Sequence, residues 1–386
     1  MRLWTGILLT VMAAGATAQK IDTQVAPGGR LDWDRTAAAQ YLDDRIDLWF
    51  EKATKLKTGQ TQTACISCHT VVPYLLARPV LRNAMQVADG TPQEVKLLGE
   101  ITQRVDTYPD HQALSDSKHD ASGGTEPILN ALILAREDAH AKRKQLSALT
   151  RKAFQQMWEK QRPDGAWDWM DFAAEPQESG DAQYYGAALA AFAAGTAPGL
   201  IGDGESDTAT YVDKLRAYLN GKYAGQNLHH RAWMLLASTR LAGLLSREQR
   251  EGLIRELQAK QNSDGGWSLY GLGPWRWSKT TPPFTSPGKL DVSLLEQSDG
   301  YATGLVAYVL REAGMPSTDS TLRKTTDWLK ANQKEVQIGS QVWKTWRTHS
   351  LNHDRENGGA HGEPWRRMMM SDVATAFAVL ALLPSD

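Results

Sequence analysis

Two cysteines and a histidine stand together as Cys65-Ile66-Ser67-Cys68-His69, and these are the only cysteines in 386 residues. The C-x-x-C-H spacing is that of a c-type haem attachment site. Two thiols three positions apart on one helical turn can each form a thioether to a porphyrin vinyl group, and the histidine that follows can reach the iron. Cys65 and Cys68 then anchor one covalent haem c, with His69 as its proximal ligand. A redox dithiol, half of a zinc site and a structural disulfide are the competing uses of such a pair. Structural zinc draws four N/S ligands from two clustered pairs, and no second cysteine pair exists here. A thioredoxin-like dithiol follows a strand in a βαβ setting, whereas the flanks of this motif read as helical.

Haem attachment of this kind takes place outside the bacterial cytoplasm, and the start of the chain agrees with export. Arg2, the apolar run Leu3 to Ala14 and Ala16-Thr17-Ala18 read as a signal peptide over residues 1–18, cleaved before Gln19. No later stretch reaches the ~18 uninterrupted apolar residues of a membrane helix. The expectation is a periplasmic or secreted protein with no transmembrane segment. A formal net charge of −1 and the lack of a concentrated basic run argue against nucleic acid or an anionic membrane surface as partner.

Length exceeds the ~150 residues typical of one domain, but the internal pattern points to a single domain over 19–386. Hydrophobic residues make up 41%, enough for a large core, and no low-complexity linker divides them. One local phrase recurs. Gln161-Arg162-Pro163-Asp164-Gly165-Ala166-Trp167 and Gln261-Asn262-Ser263-Asp264-Gly265-Gly266-Trp267 each close a helical pattern. Around them the chain reads as helical hairpins: Arg35 to Lys57 with Pro73 to Met85, Gln93 to Tyr108 with Glu126 to Arg136, and Ala141 to Gln161 with Gln183 to Ala194. Asp207 to Leu219 with Leu228 to Leu244, Ser246 to Gln261 with Tyr301 to Ala313, and Ser317 to Gln333 with Asp372 to Leu383 complete the series. The first helix of each pair is charged and amphipathic, and the second is rich in Ala, Leu, Val and Gly. That alternation predicts an all-α (α/α)6 toroid, six outer helices around six inner ones, with the haem motif in the first hairpin connection. In the phrases, Gly frees a tight turn, Asp caps the following amides and Trp packs between hairpins.

The two phrases, the openings Asp299-Gly300-Tyr301-Ala302-Thr303-Gly304 and Ser371-Asp372-Val373-Ala374-Thr375-Ala376, and the six-pair layout resemble the squalene-hopene cyclase and protein prenyltransferase superfamily. The chain looks like a secreted, haem-bearing branch of it. The family's chemistry does not carry over with the fold. Class II cyclases protonate an alkene with an Asp-x-Asp-Asp motif, which is missing here, and Asp299 and Asp372 read as helix N-caps. Prenyltransferases hold zinc with Asp, Cys and His, and both cysteines are committed to the haem motif. Asp43-Asp44-Arg45-Ile46-Asp47 matches a class I magnesium motif but has no second motif, and reads as a solvated face.

In such a ring the outer-to-inner connections share one mouth, and closure makes the second and sixth pairs neighbours of the haem. Candidate second iron ligands are therefore His111 and His119, or His349, His353, His361, Met368, Met369 and Met370. Met370, just before an inner helix, is the best single candidate. Two principal function classes stay open, and whether the chain is an enzyme stays open with them. One is an exported electron-transfer cytochrome docking a redox partner protein. The other is a haem enzyme acting on an apolar or sugar-like small molecule in the toroid cavity, lined by Trp169, Tyr184, Tyr185, Trp233 and Tyr301. A third is a carbohydrate-active enzyme using carboxylates among Asp171, Glu175, Glu178 and Asp181.

Overall fold

The computed structural model describes residues 32–58, 60–108, 122–172, 174–202, 206–275, 292–351, 365 and 368–384. The signal peptide, His111, His119, His353 and His361 lie outside them. From Trp33 onward the described chain belongs to one compact unit. It holds twelve helices of eleven or more residues, a single helical turn at Val292–Leu295, and two β-hairpins. The outer helices are α1 (Arg35–Lys52), α3 (Pro92–Asp106), α5 (Ala148–Glu159), α7 (Ser206–Lys222), α9 (Arg247–Ala259) and α11 (Ser320–Ala331). The inner ones are α2 (Val71–Ala84), α4 (Ser122–His140), α6 (Gln183–Thr196), α8 (Leu228–Ser238), α10 (Gly300–Glu312) and α12 (Met369–Leu382).

Each inner helix packs on the next, from α2 through α4, α6, α8 and α10 to α12, and α12 packs back on α2. The ring is therefore closed, and the fold is the (α/α)6 toroid. Sequence chemistry explains the division. Outer helices carry polar caps and one apolar stripe: Thr91 and Glu94 form a capping box at α3, and Ser246 and Gln249 form one at α9. Inner helices are buried all round, as in α6, where every residue from Tyr184 to Ala194 is buried. Small residues let the inner helices approach. A Cβ on Gly304 of α10 would lie 2.6 Å from the backbone of Phe377 and Ala378 in α12.

The repeated phrases fasten the rim. In the first, Gly165 takes φ +90°, Asp164 accepts from the Ala166 amide, and Trp167 Nε1 donates to the Met157 carbonyl at 2.7 Å. Gln161 reaches the Tyr211 carbonyl of α7, the next outer helix. The second phrase repeats this with Gly265 at φ +95°, Trp267 on the Leu257 carbonyl at 2.8 Å and Gln261 on Thr321 of α11. A third copy is split open. Trp346 Nε1 donates to the Leu329 carbonyl at 2.8 Å, and Gln333 exchanges two hydrogen bonds with the Asp34 backbone, at 2.7 and 2.9 Å, ahead of α1. This copy closes the ring, and an antiparallel hairpin of β3 (Lys334–Ile338) and β4 (Gln341–Thr345) separates its Gln from its Trp.

The other hairpin corrects the sequence reading. Helix α1 stops at Lys52, and β1 (Lys55–Thr58) pairs antiparallel with β2 (Thr61–Ala64), directly before the haem motif. Lys55 and Lys57 and then Thr61 and Thr63 recur at every second position, with Gly59 between the strands, which suits a solvated hairpin better than a helix. Cys65 consequently follows a strand, and Cys68 lies in the turn that opens α2, so the two thiols do not share a helical turn. The strand brings no βαβ unit with it. No helix among the described residues is long and apolar enough to cross a membrane.

Candidate functional site

Ser67 starts α2 and thereby sets the motif. Its hydroxyl accepts from the Thr70 and Val71 amides at 3.2 and 3.1 Å, turning Cys68 and His69 inward. Cys68 is 1% exposed, and burial, with the Glu178 carboxylate adding to it, pushes its thiol well above the ordinary value. Such a thiol is a poor thiolate, which disfavours the reactive-dithiol reading. Cys65 is partly exposed, and the two cysteines are free of any disulfide.

His69 is held from three sides. Its Nδ1 lies 2.9 Å from Thr70 Oγ1, and that hydroxyl donates to Asp372 Oδ2 at 2.8 Å. Trp49 packs edge-on against the imidazole, with ring centroids 5.5 Å apart, while its Nε1 donates to the Cys65 carbonyl. On the remaining side His69 Nε2 faces Glu178 Oε2 at 3.7 Å, and Glu178 Oε1 accepts from the Cys68 amide at 3.1 Å. Because the Thr70 hydroxyl hydrogen is used on Asp372, its oxygen receives the Nδ1 proton. Nε2 is thereby turned toward the Glu178 carboxylate.

Asp372 is the anchor behind this chain. Its carboxylate takes Arg45 Nε at 2.6 Å, Arg45 Nη2 at 3.0 Å and the Tyr41 hydroxyl at 2.6 Å. Arg45 and Asp372 are each 2% exposed. Burial works against the Arg45 charge, but the Asp372 carboxylate more than offsets it and the guanidinium is raised. Burial, followed by the same carboxylate, raises the Tyr41 phenol well above its usual range. Asp372 is thus not the N-cap expected from sequence. Helix α12 starts three residues earlier, and the side chain faces α1 and Thr70 instead of its own amides. Asp299 is an N-cap, accepting from the Ala302 amide at 2.9 Å.

The Thr70–Asp372 bond puts the start of α12 beside the motif, as ring closure requires. Met370 is buried there, in the first turn of α12. It stands two positions before Asp372, which is about 200° around the helix. Met368 caps α12 and its carbonyl is 3.4 Å from the Tyr41 hydroxyl. His349 lies near Asp299 at the α10 terminus. The three acids of the class I-like motif have separate partners. Asp43 takes Arg78 and Tyr74, Asp44 takes Gln40 and Trp343, and Asp47 takes Gln93. Among the described residues no three His, Cys, Asp or Glu side chains group as a metal ion would need.

The centre of the ring is filled by rings. Tyr185 packs on Trp169 and Trp233, Phe377 joins Trp233 to Tyr301, and the Tyr301 hydroxyl lies 2.7 Å from His229 Nε2. Trp169, Tyr185, Trp233 and Tyr301 are all buried within this aromatic cluster. Tyr184 points outward and donates to the Leu219 carbonyl of α7. Sequence reasoning did not foresee that the connection between α5 and α6 crosses the mouth to bring Glu178 to His69; no local signal carries that contact.

The same connection holds Glu175, 3% exposed, with Ser179 Oγ donating to Oε2 at 2.8 Å and Oε1 buried without a hydrogen-bond partner. Burial raises its carboxyl to about 7, and the nearby Asp181 and Asp171 add to the rise. In the unfolded chain it titrates near 4.5, so between those values the fold binds the extra proton. Glu175 leaves stability undiminished at the acid end and lowers it as pH climbs toward 7, by about 3 kcal/mol once complete. Buried His229 and His230, held below 6.5, act oppositely, destabilising the fold as pH falls. Glu175→Gln removes only the first effect. Denaturant unfolding at pH 5 and pH 8 is expected to favour the Gln variant at pH 8 alone; an equal difference at both pH values would contradict a neutral Glu175.

No protein-family model matches the chain, and no curated protein matches it. Among solved structures it is similar to an unsaturated glucuronyl hydrolase from Bacillus sp. GL1, described as responsible for the degradation of glycosaminoglycan. The TM-score is 0.48 at 12% identity, covering 90% of this chain and 94% of that one. A structure described as UGL with dGlcA-Glc-Rha-Glc gives the same figures. These likenesses assign no activity, and the toroid rests on the closed ring of inner helices.

Proposed function

We propose that the chain carries one c-type haem at Cys65, Cys68 and His69 and acts as an exported electron-transfer protein. The observation that carries this reading is the orientation of His69. A relay from Nδ1 through Thr70 to Asp372 and Arg45 is the outer-sphere support that metal-binding imidazoles have, and iron at Nε2 would take the place that the Glu178 carboxylate holds. The donor set fits the group: two thiols free of a disulfide precede that imidazole, one buried and one partly exposed. Cys65 and Cys68 would hold the macrocycle and His69 the iron; Met370 remains the second ligand proposed from sequence, and reaching the iron would require it to leave the face of α12 opposite Asp372. Haem held this way supplies one-electron transfer. The protein's own residues keep the imidazole fixed: Thr70 holds the Nδ1 proton, Trp49 packs the ring, and the Arg45–Asp372 pair anchors both. The partner is a redox protein meeting the Cys65 side, and the compartment is the periplasm or the exterior.

A saturated iron makes an optical prediction. The reduced protein is expected to bind carbon monoxide slowly or not at all, and Met370→Ala to bind it readily. If the unmutated protein binds it at once, Met370 is not a ligand and the haem-enzyme reading takes over.

A second reading, a carbohydrate-active enzyme, is favoured by Glu175. A carboxyl held at about 7 beside Asp171 and Asp181 is poised as a general acid. Hydrolysis of a glycoside that is lost in Glu175→Gln, in protein free of haem, would establish it.

A further inference from the structure

The far end of the ring, where the inner helices finish, contains a cavity of about 640 Å3. All six inner helices reach it with their last turns or the residues just after them, and the charged side chains they bring are predominantly cationic. Arg136 comes from α4, Lys142 follows it, Arg240 follows α8 and Arg311 comes from α10. Among the described residues Glu312 is the single carboxylate lining the cavity. Part of this charge has a structural use, because helix C-termini expose carbonyls that attract cations. Arg311 donates to the Leu380, Ala381 and Leu383 carbonyls of α12. Arg240 binds Glu312 at 2.8 Å.

Arg136 is not explained this way. Its Nε is buried without a hydrogen-bond partner, a costly state for a guanidinium. Arg136, Arg240 and Arg311 all act on the Tyr308 phenol, so their charges converge on one ring in the cavity wall. Burial also holds Arg311 below its ordinary value in spite of Glu312.

We infer that this cavity binds a small organic anion carrying at least two negative charges, a phosphate ester or a polycarboxylate, with Arg136 and Arg240 as its principal contacts and Lys142 at the lip. Guanidinium forks match both oxyanions, and the volume lies within the range of small-molecule sites and well above one phosphate. The site lies at the opposite end of the inner helices from Cys65, Cys68 and His69 and does not depend on haem.

Isothermal titration of the full chain with pyrophosphate, and separately with citrate, at an ionic strength fixed with sodium chloride, tests it. One anion per chain is expected, and the tighter probe identifies the oxyanion class. Arg136→Gln is expected to weaken binding at least tenfold. Lys142→Gln, on an exposed residue whose loss does not threaten the fold, is expected to weaken it a few-fold. Heats no larger than those of added chloride, or affinities unchanged in both variants, overturn the inference.

Discussion

Asp372→Ala is expected to lower folding stability by about 3–5 kcal/mol, because removing one partner of a buried ion pair strands the other. Arg45, 2% exposed, would lose the carboxylate that takes its Nε and Nη2, and Nη1 already lacks a partner. Tyr41 and Thr70 would lose their acceptor at the same time. Asp372→Asn keeps a carbonyl oxygen for these donors and is expected to cost less. The double change Arg45→Met with Asp372→Leu removes the charges together and is expected to recover most of the loss. Midpoints of denaturant unfolding measure all three. A single Ala variant as stable as the parent would mean that the pair is solvated, against its burial.

Trp267→Ala is expected to cost a similar amount, about 3–5 kcal/mol. The side chain is 0% exposed, and its Nε1 ties the second rim turn to α9 through the Leu257 carbonyl. Its backbone is fixed too: the amide donates to Thr303 Oγ1 at 2.9 Å and the carbonyl accepts from the Asp299 amide at 2.8 Å. Truncation therefore leaves a cavity that the neighbours cannot close by moving. Trp267→Phe, which keeps most of the volume but loses the donor, is expected to fall between the parent and Ala. Equal losses for Phe and Ala would assign the effect to the hydrogen bond instead of the packing.

Much of the fold was legible because it repeats. Gly165 and Gly265 need positive φ, Asp164 and Asp264 cap the same turn, and Trp167 and Trp267 return to the carbonyl four residues before the phrase's Gln. Alternation of polar and apolar helices did the rest. The third copy escaped notice because β3 and β4 stand between Gln333 and Trp346, and the geometry survives although the spacing does not. The first hairpin escaped because Lys55 and Lys57 suit a helix, so α1 could be read straight through them. At the site, the identity and order of Cys65, Cys68 and His69 could be read directly. The Thr70–Asp372 bond spans 302 residues and the Cys68–Glu178 bond 110, so both depend on closure and on the path of a long connection. Asp372 looked like an N-cap because an acid at the start of an apolar helix usually is one; here a buried arginine claims it first.

Covalent haem is the claim on which the electron-transfer reading stands, and the mass of the denatured chain tests it most directly. The protein is to be expressed with a haem-attachment system, unfolded, and stripped of anything not covalently held. The account predicts a polypeptide heavier by one haem and coloured after denaturation, with both properties lost in Cys65→Ala/Cys68→Ala. A colourless chain with the mass of the bare polypeptide would contradict it.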